Sequence, residues 1–203
     1  SMQIYKELKI ISARPNPTDI KNVKHHLYGY ISGEDRFNVE KWCNDATKKI
    51  HLLNKKNITP IFVGGTGLYI DTLINGITSI PNIPESVKRE SNKLFNKIGA
   101  YEFFKLVEKI DKKSLKNISG NDSQRLKRIW EVFYFTNKKF SSWKRKKNKK
   151  FLNIKNYKII LFIPDREKNY QRVNKRVLSM IDKGGVKEIK KLLKLNFDKD
   201  LPL

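Results

Sequence analysis

Cysteine is almost absent. Cys43 stands alone among 203 residues, so no internal disulfide can form, and a reducing cytoplasm is the expected setting. Long apolar runs are absent too. The longest covers residues 159–164, far short of the ~20 residues that a bilayer crossing needs, so no membrane partner is expected. Lys6 and Lys9 interrupt the apolar residues near the start, which does not read as a secretory signal. The three histidines, His25, His26 and His51, do not stand with Cys43 at ligand spacing. No metal site is therefore identifiable in the chain, and no Ser-His-Asp or Cys-His arrangement is suggested either. Acidic residues are scarce, 20 against 44 basic ones.

What is present fits a soluble globular protein: 38% hydrophobic and 32% charged residues. The length suffices for one core, or for a core with a smaller inserted domain. The net charge of +24 implies a polyanionic partner. Its distribution is uneven. Residues 1–80, 81–120 and 161–203 carry nets of +4, +4 and +5, whereas residues 121–160 carry 13 basic and 2 acidic side chains, a net of +11. No basic helix with a clear apolar face accompanies that cluster, so nucleic acid is favoured over a membrane surface.

Along the chain, residues 2–14 read as extended, ended by Pro15 and Pro17. Val39, Trp42, Cys43, Ala46, Ile50 and Leu53 recur at helical spacing. Residues 58–63 and 159–163 are short, apolar and rich in β-branched residues, which suits buried strands. Helices are expected over 87–119 and over 121–136, the latter with Leu126, Ile129, Trp130 and Phe133 on one face. Another is expected after Asp165, with Val173, Val177, Met180 and Ile181 inward. Apolar strands alternating with helices imply an α/β fold with a parallel sheet.

Four groups can carry chemistry. Gly64-Gly65-Thr66-Gly67 follows the first strand and opens a helix. Glycines let backbone amides approach an anion, and the helix start adds its positive end. By itself the turn is equally a tight connection, and no Lys-Ser/Thr pair makes it a Walker loop. In Gln124-Arg125-Leu126-Lys127-Arg128, Gln124 and Arg128 share a helix face, as do Arg125 and Arg128. A glutamine beside arginines can read a base edge and clamp phosphates, or simply line a solvated face. Arg172 and Arg176 lie one turn apart with Arg166 near the helix start. They can pin a diphosphate leaving group or face solvent. The segment 143–150 holds six basic residues behind Trp143, a track for an RNA backbone with a ring to stack, or a lysine-rich loop.

In order and spacing these pieces resemble the bacterial tRNA dimethylallyltransferase family. The resemblance rests on Pro60-Ile61-Phe62-Val63-Gly64-Gly65-Thr66-Gly67-Leu68-Tyr69, on Ser1 to Lys6, on His25-His26-Leu27, on Gln124 to Arg128 with Glu131-Val132, and on Pro164-Asp165-Arg166-Glu167 with Arg172 and Arg176. The resemblance implies a P-loop NTPase-like parallel sheet flanked by helices, with a helical inserted domain. Its expected division is a first core part over 1–76, an insertion over 77–120 that extends as far as about 150, and a second core part over 121–203.

The function implied is transfer of a dimethylallyl group from dimethylallyl diphosphate to N6 of adenine 37 in tRNA, with Mg²⁺ helping the diphosphate leave and the protein a monomer. The resemblance assigns Gly64, Gly65, Thr66 and Arg176 to the diphosphate, and Thr66, Arg172 and Arg176 to catalysis. It assigns Ser1, Met2, Gln3, Thr66, Lys88, Gln124, Arg125, Leu126, Lys127 and Arg128 to the tRNA anticodon stem-loop. Lys88 stands where the family usually has an arginine, which removes a planar, bidentate fork. The family's Gly-Pro-Thr-x-Ser-Gly-Lys-Ser/Thr loop does not occur in these 203 residues. Neither does the aspartate before its Ser-x-Gln segment, the family's proposed general base, nor its C-terminal Ile-Gly-Tyr-type motif. The chain accordingly reads as an internal fragment, inactive as it stands. The competing readings are an adenylate isopentenyltransferase acting on free nucleotide, a non-catalytic RNA-binding fragment, and a P-loop nucleoside kinase, the last disfavoured by the Gly-Gly-Thr-Gly turn.

Overall fold

The structure, a computed structural model, describes residues 2–65, 67–116, 118–143, 148–152 and 157–197. Its helices are α1 (Pro17–Asn22), α2 (Val39–Asn54), α3 (Gly67–Asn75), α4 (Glu85–Asp111), α5 (Ser123–Thr136), α6 (Phe140–Trp143), α7 (Arg166–Asp182) and α8 (Gly185–Lys194). Single 3-10 turns cover Met2–Ile4 and Lys112–Leu115. The chain divides into one unit of Ser1–Ile74 with Phe151–Leu203 and another of Asn75–Lys150. No helix among the described residues is long and apolar enough to cross a membrane.

In the first unit, Asn38 caps α2 by accepting a hydrogen bond from the Lys41 amide at 2.9 Å. The helix then buries Cys43, Ala46 and Ile50 against Leu73 and Leu152. Burial, reinforced by Glu40, pushes the Cys43 thiol up to about 11, so it packs as a small hydrophobe. The segment 2–6 is not extended as expected. It starts as a 3-10 turn and is laced to residues 29–31: the Gly29 amide donates to Gln3 O at 2.8 Å, Tyr30 N to Ile4 O at 2.9 Å and Lys6 N to Ile31 O at 2.9 Å. Tyr5 and Ile31 form an isolated parallel bridge.

Among the described residues no strand ladder forms. The two segments expected as strands, 58–63 and 159–163, have non-helical backbone. Ile61 is 84% exposed and Phe162 85%. A parallel strand is stable only when neighbours satisfy its amides and cover both faces, and these two segments have no such neighbours here. The stripe of α7 suffers the same lack: Val177 and Ile181 stay about half exposed rather than facing a core.

The second unit is a helical cluster. Ile83, Val87, Phe103, Val107, Leu115, Leu126, Ile129, Trp130, Val132 and Trp143 form its core. Phe103 and Leu126 are wholly buried, and Phe95 meets Phe103 edge to face at 5.2 Å. Within α4, Gly99 takes a left-handed φ of 79° and breaks the helical path. Asp111, also buried, accepts hydrogen bonds from the Ser114 hydroxyl at 2.6 Å and the Ser141 amide at 2.7 Å. Burial alone would raise its pKa, but these donors hold it below the usual carboxylate range. Trp143, expected to be available for stacking on RNA, is instead part of this core at 9% exposure. Its short helix packs beside α5 and the 112–115 turn, so an apolar ring there is worth more inside than out.

Candidate active-site residues

The glycine turn sits where an apolar segment meets α3. Gly64 and Gly65 are exposed, and a Cβ built on either would meet no atom within 4 Å. No neighbour crowds the turn on that side. The turn is anchored from behind by Trp42 of α2, whose ring meets Phe62 at 6.0 Å and Tyr69 at 5.2 Å, both edge to face. One tryptophan thus holds the residues on either side of the turn. Thr66, assigned to both diphosphate and RNA, lies outside the described residues, as do Ser1 and Lys144 to Lys147 of the basic track.

Met2 is exposed, whereas Gln3 is half-buried and its side-chain amide donates to Ala13 O at 2.8 Å. His25 and His26 have ordinary structural surroundings. His25 Nδ1 lies 2.8 Å from Val23 O, and burial, with Lys49 and Lys24 nearby, lowers the pKa of His26.

In the second unit, α4 and α5 bring together side chains far apart in sequence. Asp122 caps α5 by accepting from Arg125 N at 3.2 Å and pairs with the Arg125 guanidinium at 3.1 Å. Gln124 and Arg125 are exposed; Lys127 and Arg128 are half-buried. The Lys127 ammonium donates to Asn92 Oδ1 at 2.7 Å and stands 5.5 Å from the Phe95 ring centre. Lys88 pairs with Glu85 at 3.2 Å. Arg128 Nη1 lies 3.7 Å from Glu131 Oε2. Glu131 is 8% exposed. Burial raises its pKa while Arg128, Lys88 and Lys127 pull it down, and the raised net value means burial wins. Of the three cations, Arg128 pairs with this carboxylate directly, whereas Lys88 and Lys127 are held by Glu85 and Asn92. Sequence reading quoted Glu131 in a motif without giving it that pairing. Its spacing of three from Arg128 and four from Lys127 was the available signal. Leu126 differs from its neighbours: its side chain is fully buried in the core, leaving only its backbone for any external contact.

On α7, Asp165 accepts from Lys168 N at 3.0 Å as the expected cap. Arg166 donates to the Tyr170 hydroxyl at 3.1 Å. Arg172 and Arg176 are both exposed, one turn apart. Among the described residues no hydrogen bond or ion pair joins either arginine to Gly64 or Gly65. Nor does any group of three His, Cys, Asp or Glu side chains stand where it could hold a metal ion.

The sequence profile of the IPP transferase family matches residues 3–203. A tRNA dimethylallyltransferase of Pelagibacter ubique (strain HTCC1062) is 40% identical over 200 residues, covering 98% of this chain and 64% of the relative. One from Bartonella henselae is 38% identical over 202 residues, covering 100% of this chain and 69% of that one. Among solved structures, the tRNA delta(2)-isopentenylpyrophosphate transferase of Staphylococcus epidermidis aligns over 98% of this chain and 64% of its own, at 25% identity and a TM-score of 0.55. A eukaryotic dimethylallyltransferase acting on tRNA aligns at a TM-score of 0.70 over 98% of this chain and 50% of its own, and at 23% identity it speaks for the fold alone. The chain thus spans less than two thirds of the length of the first of these relatives. With the glycine turn, the α5 cations and the α7 arginines in the order described, and with a profile match from residue 3 to residue 203, the chain belongs to the IPP transferase family.

Proposed function

We propose that the protein carrying this chain at its full encoded length transfers a dimethylallyl group from dimethylallyl diphosphate to N6 of adenine 37 beside a tRNA anticodon. It acts as a monomer in the cytoplasm. The observation that carries the reading is that α4 and α5 each hold their cations in place, Lys88 on Glu85, Lys127 on Asn92 and Arg128 on Glu131, fixed positive groups of the kind that position phosphates. The names of the relatives supply the chemistry.

Each residue group then has a task. The backbone amides of Gly64 and Gly65, with Thr66, receive the diphosphate. Arg176, aided by Arg172, neutralises the charge that develops on it as the carbon–oxygen bond breaks. Ser1, Met2 and Gln3 hold the adenine, which must leave the stack before its amino group can react. Gln124 to Arg128 and Lys88 grip neighbouring nucleotides, Leu126 through its backbone. The described residues do not by themselves form an Mg²⁺ site. In this reading the ion arrives mainly on phosphate oxygens and water, as Mg²⁺ commonly does. Residues 58–63 and 159–163 are strands of a parallel sheet in the complete fold, and its helical insertion starts at residue 77 and runs beyond 120 to about 150, because α5 packs on α4.

The test is prenyl transfer from labelled dimethylallyl diphosphate. The full-length protein is expected to label an anticodon stem-loop and not free AMP. The 203 residues alone, which contain no Walker-type loop, are expected to bind the RNA without transfer. Labelling of AMP alone would replace the tRNA reading with the adenylate one.

A further inference from the structure

Four hydrogen bonds converge on one carboxylate in the first unit. Glu188, in the first turn of α8, accepts from Lys9 N at 2.8 Å and Ile10 N at 2.9 Å through Oε1. Through Oε2 it accepts from Ile10 N at 3.0 Å and Ile11 N at 2.9 Å. Three successive amides thus face a single anion, a nest-like concavity. The start of α8 rests on the same turn: a Cβ on Gly185 would meet Ile11 Cγ1 at 3.4 Å.

The turn continues toward a predicted substrate residue. Ala13 N donates to Ile10 O at 2.9 Å and Arg14 N to Lys9 O at 3.1 Å. Ala13 takes a left-handed φ of 51°, a conformation that an alanine holds only when its surroundings impose it. Its carbonyl oxygen accepts the Gln3 side-chain amide at 2.8 Å. Arg14 closes the loop by donating to Lys6 O at 3.1 Å. Among the described residues, this is the hydrogen bond that fixes the direction of the Gln3 side chain.

We propose that Glu188 is a positioning residue for Gln3: its carboxylate locks the 9–11 turn, the turn aims Ala13 O, and Ala13 O orients the glutamine toward substrate RNA. The inference rests on the reading that Gln3 contacts RNA.

The test uses the full-length protein with Glu188→Gln, Gln3→Ala and the double variant. In Glu188→Gln the new NH₂ group faces an amide donor instead of accepting from it, so the turn loosens. The Gln3 side-chain NH₂ resonances in a ¹⁵N spectrum should shift, and amide exchange at residues 9–11 should quicken by on the order of tenfold. Affinity for the anticodon stem-loop should fall by about fivefold in each single variant, and no further in the double, because contacts acting in series are not additive. Glu188→Asp, which keeps the charge, should restore part of the loss, and it replaces Glu188→Gln should that variant not fold. Unmoved Gln3 resonances, or additive losses, overturn the proposal. If Gln3→Ala leaves RNA affinity intact, the RNA role of Gln3 fails instead, and the resonances alone decide whether Glu188 positions it.

Discussion

Arg128 and Glu131 stand 3.7 Å apart on one face of α5, and the carboxylate is the more buried of the two, its side chain 10% exposed against 40%. The acid is therefore a fixed internal reference, and the arginine reaches outward from it. Such an arrangement fixes direction more than it adds stability, because a buried charge pays a desolvation cost that its partners only partly return.

Replacing Glu131 by glutamine tests that division. Its folded pKa lies above the ordinary glutamate range, so the charged form is disfavoured in the folded state. The charge costs stability at neutral pH, and the cost fades as pH falls through the raised value. Glu131→Gln is expected to match or exceed wild-type stability at pH 7, within about 1 kcal/mol, with the gap closing in acid. Urea melts at pH 7 and pH 4 read this. RNA specificity should move the other way: with Arg128 no longer paired to a carboxylate, competition assays should show a smaller preference for the stem-loop over unrelated RNA.

Asp111 carries the opposite sign. Its folded pKa is depressed by the Ser114 and Ser141 donors, so its stabilisation is complete above the unfolded value of about 4 and is lost as pH falls through the folded value. Asp111→Ala leaves both donors unpaired in a buried place. A loss of about 2–3 kcal/mol is expected at pH 7, shrinking as pH falls through the depressed folded value and the wild-type carboxyl itself becomes protonated. Denaturant midpoints across that range decide the matter, and a pH-independent difference would refute the assignment.

Arg176→Ala separates chemistry from binding. The guanidinium is exposed on α7, so stability should change little. If it neutralises a departing diphosphate, turnover in the full-length protein should fall by about 10²-fold while RNA affinity holds. An affinity loss with turnover intact would assign Arg176 to RNA instead.

Helices were the legible part of this sequence. The spacing of Cys43, Ala46 and Ile50, and of Leu126, Ile129 and Trp130, encodes which face turns inward, and those residues are buried. That same spacing already placed Leu126 in the core, in tension with its assignment to RNA through the motif; periodicity reports orientation, whereas a motif reports only order. Trp143 misled because its basic neighbours suggested an exposed track. The Glu188 contacts had no signal at all. They pair a side chain with backbone amides 177 to 179 residues away, and no local pattern records such a pairing. Thr66, Ser1 and the basic residues 144–147 lie outside the described residues, so the first two assignments stand on resemblance and the last on charge.

The break at Gly99 has a rotational meaning. At about 100° per residue, the stripe of Val87, Leu94, Phe95 and Ile98 and the stripe of Phe103 and Val107 would point about 160° apart on an unbroken helix. Both nevertheless enter one core. The left-handed residue resets the angular phase between two half-helices, so that two sequence patterns out of step become parts of one surface. A Cβ there would meet open space, which makes the requirement one of backbone handedness and not of room. Any residue that restored regular winding would swing Phe103 toward water while leaving the composition of the helix almost unchanged.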